Sequence, residues 1–388
     1  MTLQHYLPAA FLGRFSEDVS GSLRQRRVWV QRRDKTQAFR VAAEKIGAEN
    51  NFYKLNDPQN FGQDVVDETW ARYEQHLAFA LARLITDAPL ALSATLWLRV
   101  LVPFVAGTFV RTPAFDDRHN PLFGDYIAEG LWDELRLGDN TNLSRLTALN
   151  RLLGPMMVAR WTVLHLPPQV GCITNDRGLA NIRLGRDGRL GWIIPLDPGH
   201  ILQLEPIPDG HGRKILYDAD DGQWFAVIEH RYPPLKACVG LNDGIADAAR
   251  DCIIGSARSL VESQQTRATW ETNEPSVDVL PSPRMQMVHE LDWHRAVSAL
   301  RYSHNDRALA AFELDMNYAF SRANPLYRHY WRPSYFAMGI NMPEFTPGLR
   351  VQGRFIEHYM SEVPGFTDYS PGPFPWEVEP PEGDVASR

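Results

Sequence analysis

The residues best suited to chemistry in this chain are His5 and Tyr6 near its start, Arg111 and Arg118 in its first third, and the aspartates Asp176 and Asp197 further on. A histidine is the natural general acid or base near neutral pH, an aspartate can orient it or hold a divalent cation, and paired arginines can clamp a phosphate or carboxylate. Together they suit hydrolysis of a phosphate-containing substrate, a nucleotide or nucleic acid. His5, Asp176 and Asp197 would be the catalytic groups, with Tyr6, Arg111 and Arg118 contacting the substrate. The same residues also have a structural reading. His5 and Tyr6 could anchor the chain start through hydrogen bonds, Arg111 could pair with Asp117, and Asp176 could cap a turn. The protein would then be a non-catalytic binding or regulatory module. The cofactor stays unspecified: a divalent cation would suit the aspartates, but no motif names a metal.

Each of these groups lies where an apolar element ends, which is where polar residues emerge from a scaffold. Gln4-His5-Tyr6-Leu7-Pro8, followed by Phe11-Leu12-Gly13-Arg14-Phe15, is too apolar for a frayed terminus and predicts a start that is tied down. Residues 24–33 alternate around Val28 and Val30 and predict a strand bordered by arginines, either a charged edge or a strip facing phosphate. Over residues 65–85, Val66, Trp70, Tyr73, Leu77, Leu81 and Leu84 recur at helical spacing. Glu68 and Glu74 fall about 120° apart on that helix, so both are expected to be solvated and not to form a carboxylate pair. Residues 88–110 are almost entirely apolar. Arg99 would cost about 2.5–3.5 kcal/mol at a bilayer centre and Pro103 breaks the helical ladder, so an internal helix is expected in place of a membrane span. It exits through Arg111-Thr112-Pro113 towards Arg118 and His119. A second helix is predicted over residues 142–161. Short β-type runs at 161–165, 170–174, 190–194, 200–204, 214–217 and 224–228 then predict an antiparallel sheet. Asp220-Asp221-Gly222 reads as a hairpin turn, its glycine one place too early for a calcium loop. Residues 240–262 are expected to be helical.

Composition bounds the function classes. The chain of 388 residues carries a net charge of −7, which opposes coating nucleic acid through a global positive field. Its cysteines, Cys172, Cys238 and Cys252, form no C-x-x-C pair, and the first residues lack the pattern of a signal peptide. A cytoplasmic protein with no membrane partner is expected, its oligomeric state unspecified. The expected class is α+β: an N-terminal helical layer packed on an antiparallel sheet in a core domain over residues 1–262, a linker over 263–284, a mostly helical extension over 285–362 and a proline-rich tail over 363–388. His289 and His294 are five residues apart where a metalloprotease helix needs four, which excludes that site. Tyr327-Arg328-His329-Tyr330-Trp331-Arg332 interleaves basic and aromatic residues as a stacking surface for single strands would, though such a stretch more often packs onto a core. No Walker loop, dinucleotide fingerprint or Gly-x-Ser-x-Gly elbow occurs.

The order of these motifs resembles a bacterial family of domains of unknown function. Its members open with Gln-His-Tyr-hydrophobic-Pro and Leu-x-x-Phe, here Gln4 to Phe15, and carry an Arg-Thr-Pro exit from an apolar helix, here Arg111 to Arg118. The resemblance continues through Cys172-Ile173-Thr174-Asn175-Asp176-Arg177-Gly178-Leu179, Ile194-Pro195-Leu196-Asp197 and the helix opened by Leu241-Asn242, covering about residues 4–262. Asn175 stands where the family has Ser, and Arg177-Gly178 where it has Asn-Pro. The resemblance implies a domain and a set of candidate positions but no activity.

Overall fold

The computed structural model describes residues 3–54, 65–86, 92–93, 96–113, 115, 141–184, 188–206, 215–218, 223–226 and 228–265. It is an α+β structure in which helices accompany largely antiparallel sheets. The first strand, β1 (Leu3–His5), is followed by a short helix α1 (Ala9–Leu12), then β2 (Arg27–Arg32), β3 (Phe39–Ala42) and β4 (Ala48–Asn50). The chain start is indeed tied down. β1 pairs antiparallel with β4, with His5 opposite Ala48, and the backbone N–H groups of Tyr6 and Leu7 both reach the Gly47 carbonyl.

The amphipathic stretch forms α2 (Val65–Thr86), which buries Val66, Trp70, Tyr73, Leu77, Leu81 and Leu84, the residues its periodicity picks out. The apolar segment is not one continuous α-helix. Over Trp97–Leu101 it winds at π spacing and then becomes α3 (Val102–Val110). Pro103 supplies the cause, because in an unbroken α-helix its ring would meet the carbonyl four residues back, and widening the ladder ahead of it relieves that clash. Every residue of α3 is buried. Among the described residues no helix is long and apolar enough to cross a membrane. The next helix among the described residues, α4 (Thr141–Val158), stops short of Trp161, which belongs to a strand.

That strand, β5 (Arg160–His165), opens the sheet region: β6 (Thr174–Asn175), β7 (Ala180–Leu184), β8 (Arg189–Asp197), β9 (His200–Glu205), a hairpin β10 (Ile215–Asp218) and β11 (Gln223–Ala226), and β12 (Glu229–Arg231). A five-stranded sheet runs β12-β5-β9-β8-β7, antiparallel except that β12 lies parallel to β5. The expected helix over residues 240–262 is interrupted. It resolves into α5 (Leu241–Asp247), β13 (Cys252–Gly255) and α6 (Arg258–Gln265). Ile253 and Ile254 carry the β-branched side chains that favour a pleated surface. β13 sits inside a second sheet, ordered β3-β2-β13-β6, between β2 and β6.

One face of the five-stranded sheet contributes Trp161, Val163, Trp192, Ile194, Leu202 and Leu204 to the main core, where Phe109 meets Trp192 and Trp97 meets Trp161 edge to face. Leu164, Ile193 and Ile201 from the other face join Ile253, Cys172 and Ile245 in a second core. α6 runs past residue 262, where the core domain was expected to end; the expected linker beyond it, the helical extension and the tail lie outside the described residues.

Candidate functional site

The structure gathers polar residues at two places. The first surrounds Arg111 at the exit from α3, buried to 2% exposure. Its Nη1 donates to the Tyr73 hydroxyl at 2.9 Å, its Nε to the Tyr53 hydroxyl at 3.2 Å, and its Nη2 to the His5 carbonyl at 2.6 Å. Nη2 also forms an ion pair with Glu74 Oε1 at 2.5 Å. The guanidinium stands 5.0 Å from the Trp70 ring centroid. Burial works against its charge, but Glu74 and the two tyrosines outweigh burial and hold it firmly protonated. Glu74 was expected to be solvated. It is only partly exposed, because its place beside Tyr73 on α2 turns it towards the α3 exit.

Arg145, from α4, completes this exit. Its Nη1 donates to the carbonyls of Val110 and Thr112 and its Nη2 to that of Phe115, and its guanidinium lies 4.9 Å from the ring centroids of both Phe52 and Phe115. Nothing in the local sequence singles Arg145 out, since an arginine in the first turns of a helix among Asn142, Ser144 and Thr147 reads as an ordinary solvated position. Arg118, and Asp117 as a partner for Arg111, lie outside the described residues.

His5 joins the Arg111 cluster through its backbone. Its ring Nε2 lies 3.2 Å from the Glu44 carbonyl, which can only accept, so Nε2 carries the proton and Nδ1 the lone pair. Burial pushes its pKa below the ordinary histidine value, with the Glu44 carbonyl and the Glu74 charge partly opposing. Gln4 beside it accepts from the Tyr53 N–H at 2.7 Å.

Tyr6 packs its ring against Phe52, with centroids 5.8 Å apart. Burial first, and then the neighbouring Cys252 and Asp176, push its hydroxyl well above the ordinary tyrosine range. Asp176 is buried and accepts the N–H groups of Arg250 at 2.9 Å and Asp251 at 2.7 Å, tying down the turn between α5 and β13. Those donors favour the carboxylate, but desolvation is larger and raises its pKa to about 6. The turn after it is built by Asn175, whose Oδ1 accepts from Arg177 N and Gly178 N and whose Nδ2 donates to the carbonyls of Leu179 and Ile245. Gly178 adopts φ +75°, and a Cβ there would stand 2.8 Å from Leu7 Cδ2. The Arg177-Gly178 pair thus makes a left-handed turn onto which the N-terminal motif packs.

Asp197 is in a different place. It closes the β8–β9 turn, accepting from Gly199 N at 2.9 Å, and pairs with Arg14 Nη2 at 3.0 Å while Arg14 Nε donates to the Leu196 carbonyl. Arg14 can reach it because Gly13 lets the chain pass the Leu23 carbonyl where no Cβ would fit. Asp197 Oδ1 lies 2.7 Å from His200 Nδ1. Burial would raise the Asp197 pKa, but His200, the Gly199 N–H and Arg14 bring it below the ordinary aspartate value. His200 is the direct cross-strand partner of His165, the rings meeting edge to face at 5.0 Å. His165 Nε2 lies 2.8 Å from His230 Nδ1 on the adjacent β12. Burial and the two neighbouring imidazoles lower the pKa of His165. Among the described residues no group of three or more His, Cys, Asp and Glu is placed to hold a metal ion.

The structure therefore brings His5 to Arg111, places Asp176 beside the turn on which Leu7 packs, and gathers Asp197 with Arg14 and three histidines. Of these, only Asp197 belongs to the candidate set drawn from sequence. The signal for the histidines is thin: His165 ends one β-run and His200 opens another, so antiparallel pairing of the two would set them opposite each other.

Residues 3–131 match the family described as "Protein of unknown function (DUF4238)". The match takes in the N-terminal motif and the α3 exit, while the motifs around Asp176, Asp197 and Asn242 lie beyond it. No curated protein and no solved structure matches the chain.

Proposed function

We propose that the protein is a cytoplasmic hydrolase of a phosphate-containing substrate, nucleotide or nucleic acid, with its chemistry at Asp197, His200, His165 and His230. The observation that carries this reading is the 2.7 Å contact from Asp197 to His200 Nδ1. A carboxylate whose pKa is held low can only accept, so Nδ1 keeps its proton and Nε2 is left as the base. In hydrolysis, His200 Nε2 takes a proton from water as the water oxygen bonds to phosphorus. The phosphorus–oxygen ester bond breaks, and the departing oxygen takes up the proton that His200 Nε2 gained from the water, which returns His200 to its starting state. Arg14 supplies positive charge beside Asp197.

In this reading His5, Tyr6, Arg111 and Asp176 hold the N-terminal segment, and Arg118 remains a candidate for the substrate phosphate. The finer architecture of a helical layer on the sheet followed by a mostly helical extension is part of the same proposal. A non-catalytic binding or regulatory module is the second reading. The enclosure of the Arg111 guanidinium by Tyr53, Tyr73, His5 and Glu74 favours it, since the arginine is almost wholly buried among them.

The test is hydrolysis of 4-nitrophenyl phosphate and bis(4-nitrophenyl) phosphate by the purified chain and by His200→Ala, with and without added Mg²⁺ or Mn²⁺. Turnover that His200→Ala reduces by about 10²–10⁴ supports the hydrolase. Absence of turnover under all conditions favours the binding module.

A further inference from the structure

The histidine group has an aromatic outer wall. Tyr232, immediately after β12, stacks on the His165 ring with centroids 4.5 Å apart and planes inclined by 15°, yet Tyr232 is 76% exposed. One face of the phenol is therefore fixed against an imidazole and the other is open to solvent. A large aromatic side chain held flat without being buried loses little further freedom when a second ring lies on it. The His165 ring that supports it also touches the His200 and His230 rings at 5.0 and 5.1 Å. The open face and the Asp197–His200 pair are thus both joined to a single imidazole.

We infer that the open face of Tyr232 is a stacking platform for a nucleobase, so that the phosphate-containing substrate is a nucleotide or the exposed end of a single strand. The inference rests on the hydrolase reading of the same site and adds to it the identity of the group attached to the phosphate. The base lies on Tyr232, the sugar passes the edge of the His165–Tyr232 stack, and the phosphate reaches His200 and Arg14. Stacking on an aromatic side chain is tolerant of base identity, because every base offers a π-face, so the platform selects nucleotides over sugar phosphates more than one base over another. Sugar phosphates and inorganic phosphate use only the anion-binding half.

The test compares binding of adenosine 5′-monophosphate, ribose 5-phosphate and inorganic phosphate to the full chain by titration calorimetry. The nucleotide is expected to bind roughly 5- to 150-fold more tightly than ribose 5-phosphate, the span set by stacking of one base. Tyr232→Phe should keep that ratio, while Tyr232→Leu should bring it close to one. Equal binding of the two ligands, both displaced by inorganic phosphate, overturns the platform and leaves the phosphate site standing. A ratio that survives Tyr232→Leu also overturns it. Binding of neither ligand overturns the platform and the phosphate site together. The comparison of ligands needs only the wild-type chain, so the inference can fail whether or not the variants fold.

Discussion

Replacing Arg111 by Met keeps the stem packed against Trp70 and removes the charge and every donor. The Tyr53 and Tyr73 hydroxyls, the His5 carbonyl and the Glu74 carboxylate all lose their guanidinium partner. Removing one member of a buried ion pair costs about 3–5 kcal/mol, because the other charge is left without compensation. Glu74 keeps 27% of its side chain exposed, so water can take over part of its solvation, which puts the expected loss near the lower end, about 3 kcal/mol. The assay is equilibrium urea unfolding, read as a shift of midpoint at unchanged slope. Adding Glu74→Gln removes the stranded carboxylate and should restore about 1 kcal/mol, so the two changes should not add. A loss below about 1 kcal/mol for Arg111→Met, the range of exposed ion pairs, would refute the view that this arginine anchors β1 to the α3 exit.

Two further outcomes follow from the Asp176 turn. The Asp176 carboxyl has a pKa of about 6 in the folded chain against 3.8 as its ordinary value, so between these pH values the folded protein binds the extra proton. This contribution to stability is present at low pH and falls as pH rises from about 4 to about 6, by roughly 3 kcal/mol in all, and the difference between wild type and Asp176→Asn in chemical unfolding at pH 4, 5, 6 and 7 should carry that slope. A flat difference would count against it. Gly178→Ala should destabilise by about 1–3 kcal/mol, because its φ of +75° is strained for any side chain and the new methyl group meets Leu7; an unchanged thermal midpoint would show that the turn relaxes freely.

How much was legible in the sequence differs by element. α2 could be read almost to its ends because a single apolar stripe repeats over its whole length, and β5, β8 and β9 because strongly apolar runs lie between Pro, Gly and Asp turns. β13 could not, since Ile253-Ile254 falls on helical spacing with Ile245 and Leu260, and a short apolar run does not declare its period. What makes it a strand is β2, more than two hundred residues earlier. The candidate sites divide in the same way. His5, Tyr6, Arg111, Asp176 and Asp197 stand out through residue type at element ends. The three histidines meet only through strand register, with His230 supplied by a parallel pairing that no local pattern signals. Arg14 is visible in the opening motif, but its partner lies 183 residues away.

On the proposed function, proton transfer belongs to the Asp197–His200 group and anchoring to the His5–Arg111 group. Side-by-side phosphoester turnover and thermal melts of His200→Ala and His5→Ala test it most directly. His200→Ala should lose about 10²–10⁴ in rate and melt close to wild type, since its partly exposed ring gives up little packing. His5→Ala should melt lower, having lost its bond to the Glu44 carbonyl, while keeping its rate per folded molecule. The reverse pattern, with His5→Ala stable but inactive and His200→Ala active, would contradict the account.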